Sequence, residues 1–356
     1  MSIRMKTAKT ITIVLLVAGT SARAQTTVGS FFDFNADVRL FTAYAFMNAA
    51  GNDGEWRKAG MHPIRIAVRK DLEGTIDADL LKRMKKFSDD RGGSWTLWGP
   101  YALLTDGPPD FALKFDSSST EYGSASMTGL SALYAEFYRK AGIERLWKKY
   151  RPGIQALNDR YKPFGRKALD DIIEYCRLNP DFFSRETKRV HFQYSPLQSY
   201  FTAWEMKVNG EMWIVAGPQE GKPGPSTFYH EALHAVITPL LERYIGNVDR
   251  SAALLRVSKE KGSIGYETWP ELVGDCFTRT IDKVLEARLF HEDSTNVLEN
   301  LKREYKLGFI LCFSIYESLR AYEQQQESFG SYFPVILDNI DVDKERARWK
   351  KFWQGQ

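Results

Sequence analysis

Apolar positions along this chain recur with two periods, and the changes from one to the other mark out its elements. Residues 36–49 are rich in apolar side chains and predict a helix. Ile64 to Val68 alternate and predict a strand, followed by a basic amphipathic helix over Ala78 to Phe87. Residues 90–125 are rich in Gly, Pro, Ser and Asp, so loops are expected there, with a turn at Pro108-Pro109. From Thr128 the spacing is helical: Leu130, Leu133, Tyr134, Phe137 and Tyr138 share a face, Ile143, Leu146 and Trp147 open another segment, and Lys167 to Cys176 form a third. Then the period falls to two. Val190, Phe192 and Tyr194 alternate, and Tyr200 to Val208 and Met212 to Val215 predict two more strands joined by a hairpin turn at Asn209-Gly210.

A Gly/Pro loop from Gly217 to Pro225 leads back to helical spacing. A helix is expected from Ser226 or Thr227, as its cap, to Tyr244, with Gly246 at its exit. Pro239 inside it predicts a kink or an early end. Pro270 to Leu289 predict a second long helix and residues 297–323 a third. The fold class that follows is α+β: a small mixed or antiparallel sheet packed on helices over residues 25–245, and a mainly helical part over residues 246–356, joined near residues 245–265.

Composition and charge add a compartment. Arg4, Lys6 and Lys9 precede the apolar run Ile11 to Ala18, and Ala22-Arg23-Ala24 forms an A-x-A cleavage site before Gln25. Residues 1–24 thus read as a signal peptide, and the mature protein is expected to be secreted or periplasmic. The run is roughly half the ~20 residues that span a bilayer, so no stable membrane anchor is expected. The chain has 49 basic and 45 acidic residues, net +4. Arg4, Lys6, Lys9 and Arg23 carry that excess, so the remainder is balanced and a nucleic-acid partner is not expected. Cys176, Cys276 and Cys312 are too few and too scattered for a disulfide framework, and no C-x-x-C pair offers a thiolate metal site.

The candidate chemistry sits at His230-Glu231-Ala232-Leu233-His234. His230 and His234 stand one above the other on a helix face, where both imidazoles reach one ion, and Glu231 lies at the edge of that face. Apolar neighbours Phe228, Leu233, Ile237 and Leu241 bury the helix, where two imidazoles need partners. A catalytic Zn2+ has three protein ligands and an open position, and the third is expected from Glu271, with Glu267 as the fallback. Asp275, four residues on, is expected to support a ligand His from the second shell. Thr268-x-x-Glu271 also fits a capping box, and Asp275 can pair with Arg279.

HEALH at 230–234 with E-L-V-G-D at 271–275 resembles the gluzincin pattern of zinc metallopeptidases. The layout also resembles an uncharacterised group of secreted bacterial zincin-like proteins. The resemblance implies a zincin-like fold, Zn2+ held by His230, His234 and Glu271, Glu231 as general base, Asp275 orienting a His, and a peptide or protein as substrate. Pro270 departs from the Asn that many gluzincins carry there. The alternative is a catalytically inactive binding protein on the same scaffold. Tyr266, Tyr305 and Tyr316 are candidates for stabilising the oxyanion. His62 is expected in a loop and His191 as a structural or surface histidine, not a ligand, and the strand Met212 to Val215 is a place for an extended peptide if it lies at a sheet edge.

Overall fold

A computed structural model describes residues 31–55, 60–91, 95–114, 127–221, 223–263 and 265–355. The signal-peptide reading and its cleavage point lie outside the described residues. The chain opens with a short strand β1 (Phe32–Asp33). Six helices follow: α1 (Val38–Ala49), α2 (Pro63–Leu72), α3 (Ala78–Arg91), α4 (Trp95–Leu103), α5 (Leu130–Lys140) and α6 (Ile143–Asp159). Helices α7 (Lys162–Cys176) and α8 (Phe182–Glu186) lead to β2 (Val190–Tyr194), β3 (Ala203–Val208) and β4 (Glu211–Ala216). The rest is helical: α9 (Ser226–Arg243), α10 (Ile245–Asp249), α11 (Leu254–Lys259), α12 (Trp269–Phe290), α13 (Ser294–Leu307), α14 (Cys312–Tyr322), α15 (Phe329–Asp338) and α16 (Val342–Gln354).

The four strands make one mixed sheet in the order β1-β2-β4-β3, an α+β arrangement. β1, β2 and β4 run parallel, and β3 returns antiparallel to β4 with Val208 opposite Glu211. The turn at Asn209 and Gly210 takes φ of 51° and 75°, the left-handed pair that a two-residue hairpin needs. Side chains alternate across the sheet and divide the core in two. Val190, Phe192, Met212 and Ile214 face one cluster with α7, α9 and the later helices. Trp204, Met206, Trp213 and Val215 face the other, with α1 to α6. β4 is therefore buried on both faces, which is why its sequence reads as an apolar run.

Several expectations are corrected. Ile64 to Val68 are helical, not a strand: Pro63 opens α2, His62 Nδ1 accepts from the Ile64 N–H, and the buried positions Arg65, Val68 and Leu72 follow helical spacing. Residues 90–125 include α4 as well as loops. The predicted helix over residues 297–323 is two helices, because Gly308 at φ 125° ends α13. The cap of α9 is Pro225, not Ser226 or Thr227, and the helix continues through Pro239 to Arg243. Gly246 lies inside α10. Met212 to Val215 are not at an edge, since β4 lies between β2 and β3.

Candidate metal centre

The centre forms where α9 packs on α12. Helix α9 is set by its apolar face: Phe228, Tyr229, Leu233 and Ile237 are buried against the sheet and α12. Each such side chain contributes about 1.5–3 kcal/mol of burial. The α12 start is set by Thr268, whose backbone N–H donates to Glu271 Oε2 at 3.2 Å in a capping box. Gly274 permits the close approach of the two helices, because a Cβ there would meet Leu241 Cδ1 at 3.0 Å. Asp275, the next residue, points at the histidine pair.

His230 Nε2 and His234 Nε2 each lie 3.5 Å from Asp275 Oδ1. Ligand atoms of all three residues fall within 4.8 Å of one another. At 3.5 Å these contacts are at the outer limit of a hydrogen bond. They match a different geometry better. Four donors around Zn2+ at ~2.1 Å in a tetrahedron stand ~3.4 Å apart. Two imidazole nitrogens and one carboxylate oxygen are also a donor set that zinc accepts, so the residues present fit the ion. The His230 and His234 side chains keep 19% and 29% of their surface, so the pair is not fully enclosed.

Glu231 stands beside this group at 5% exposure, with no hydrogen-bond partner among the described residues. Burial pushes its carboxyl up to about 7; the Asp275 charge adds to the rise, and His230 offsets part of it. Burial also pushes His234 down, helped by the charge of His230. For His230 burial acts the same way, but the Asp275 carboxylate outweighs it and raises its pKa. Burial alone would raise Asp275; the contact with His230 and its charge, and the charges of Arg279 and His234, hold it well below the usual carboxylate range.

The second oxygen of Asp275 has partners of its own. Tyr266 donates its hydroxyl to Oδ2, and Arg279 Nε donates to the same atom at 3.3 Å. Arg279 Nη1 donates to Glu304 Oε2 at 2.9 Å, and the guanidinium lies 4.1 Å over the Phe309 ring. The Tyr266 ring meets Phe309 edge-on at 6.1 Å.

Thus His230, Glu231 and His234 come together as the sequence led one to expect, but the expected third ligand does not. Glu271 is exposed and engaged in the capping box, and Glu267 is exposed as well. Asp275 stands where Glu271 was expected, and it also makes the Arg279 pair that its spacing allowed. Tyr266 is at the centre, whereas Tyr305 is enclosed by Phe313, Trp349 and Phe352, and Tyr316 engages Arg320. Glu304 and Phe309 carried no signal in the sequence, since they reach Arg279 only through the packing of α13 and the turn after it. No helix among the described residues is long and apolar enough to cross a membrane.

Residues 225–339 match the model of a family described as a domain of unknown function, DUF4932. That segment holds His230, Glu231, His234, Tyr266, Asp275, Arg279, Glu304 and Phe309. No curated protein and no solved structure matches the chain.

Proposed function

We propose that this protein is an exported zinc-dependent hydrolase of zincin-like fold that cleaves peptide bonds in a peptide or protein substrate. The support is the 3.5 Å spacing of Asp275 Oδ1 from both imidazole Nε2 atoms, a spacing suited to one tetrahedral ion, beside a buried Glu231 with no hydrogen-bond partner among the described residues. His230, His234 and Asp275 would hold the ion; Asp275 takes the place that the gluzincin resemblance gives to Glu271. A Zn2+ ion there supplies Lewis acidity, acidifying water and polarising a carbonyl.

Glu231 then has the work of a general base. Its carboxylate takes the proton from the attacking water and hands it to the leaving amine. One property suits it: no other donor among the described residues ties it up. Tyr266 has its hydroxyl committed to Asp275.

The test is a zinc measurement and a peptide-library digest on the purified protein and on Glu231→Gln. The expected result is one equivalent of zinc in both, with hydrolysis reduced about 10²–10⁴-fold in the variant. Wild-type protein without zinc overturns the metal reading. Zinc retained without cleavage of any library member overturns the peptidase reading and leaves a binding protein.

A further inference from the structure

Asp275 has two oxygens, and what occupies the second decides how the first can bind. A free carboxylate beside an ion can turn both oxygens toward it. That raises the coordination number and fills the position a catalytic site keeps open. Here Oδ2 receives the Tyr266 hydroxyl and the Arg279 Nε–H, while Oδ1 is the oxygen 3.5 Å from both His230 Nε2 and His234 Nε2. Neither donor is free to drift. The guanidinium is anchored at its other end by Glu304 and lies flat on Phe309, whose ring also backs Tyr266. A guanidinium anchored at its far end restrains the carboxylate oxygen that its Nε–H meets.

We infer that Tyr266 and Arg279 are positioning residues that make Asp275 a single-oxygen metal ligand and so preserve the open coordination position. The inference rests on the metal reading above. It differs from a plain structural ion pair in one respect: the two donors come from separate elements, the segment before α12 and α12 itself, yet meet on one oxygen. Removing either leaves the fold its apolar core and takes away one of the two restraints on Oδ2.

The experiment is a competition of Zn2+ between the protein and a chromophoric chelator, for wild type, Tyr266→Phe and Arg279→Leu. Visible spectra of the Co2+-loaded proteins run beside it. Each variant is expected to bind Zn2+ about 10–100-fold more weakly. The Co2+ spectrum should lose intensity as four-coordination gives way to five, a change that a loss of general stability does not produce. Tyr266→Phe deletes one oxygen and carries the test if Arg279→Leu fails to fold. Wild-type protein that binds no Zn2+ overturns the metal reading and this inference together. Wild-type protein that binds Zn2+, with Tyr266→Phe unchanged in both affinity and spectrum, overturns the inference alone.

Discussion

Two regions of this molecule bring histidine and carboxylate together, and they do it in opposite ways. On the sheet, His191 of β2 lies between Asp33 of β1 and Glu211 of β4, at 3.2 Å from Nδ1 and 2.9 Å from Nε2. Its ring stacks on Trp213 with centroids 4.0 Å apart. The two ring nitrogens point apart, each to its own partner at hydrogen-bonding distance, so the imidazole works as a latch across three strands. At the helix crossing, two imidazoles point together at one oxygen, each at 3.5 Å. Divergent nitrogens satisfy themselves. Convergent nitrogens leave room for a cation among them. The difference lies in direction and distance, not in residue type.

The largest expected effect tests that contrast directly. His230→Ala should weaken Zn2+ binding about a thousandfold, because one of the three proposed protein ligands would be gone. His191→Leu should leave zinc content at the wild-type value. Elemental analysis of both variants checks this, and zinc lost from the His191 variant would break the distinction drawn here.

A smaller effect concerns the protein stripped of metal. Glu231 titrates near 4.5 in an ordinary setting and about 7 in the folded site. The folded state therefore holds this proton more tightly than the unfolded chain. Its contribution to stability is fully present at low pH and is lost as pH rises through about 7. Glu231→Gln should accordingly stabilise the metal-free protein by on the order of 3 kcal/mol at pH 8 and by little at pH 4. Urea melts at the two pH values decide it; an equal shift at both would mean that Glu231 is not a buried, strained charge.

The smallest effect belongs to the latch. His191→Leu should lower stability by about 1–2 kcal/mol, the cost of leaving Asp33 and Glu211 without their shared partner. Both carboxylates are partly exposed, which keeps the loss small. A thermal melt of the variant reads it.

What the sequence determined by itself is local. The i, i+4 spacing of His230 and His234 places both rings on one face of any helix, and Asn209-Gly210 favours one kind of hairpin whatever surrounds it. The capping box at Thr268 and Glu271 was legible for the same reason. The errors arose where short patterns are ambiguous or where partners are distant. Five alternating residues from Ile64 to Val68 fit a strand or a helix, and the Pro63 start with its His62 cap decided for the helix.

The carboxylate that meets the two histidines was of the second kind. Glu271 and Asp275 share a face of α12, and nothing in their spacing says which one meets α9. Only the tertiary structure decides it. The close packing of α9 over Gly274 brings Asp275 to the histidines and leaves Glu271 at the helix start, one turn away, where it caps the chain instead. Likewise Glu304 and Phe309 reach the centre only because α13 folds back along α12. Contacts set by neighbours in the chain follow from the residues; contacts set by how two helices cross depend on every side chain packed between them.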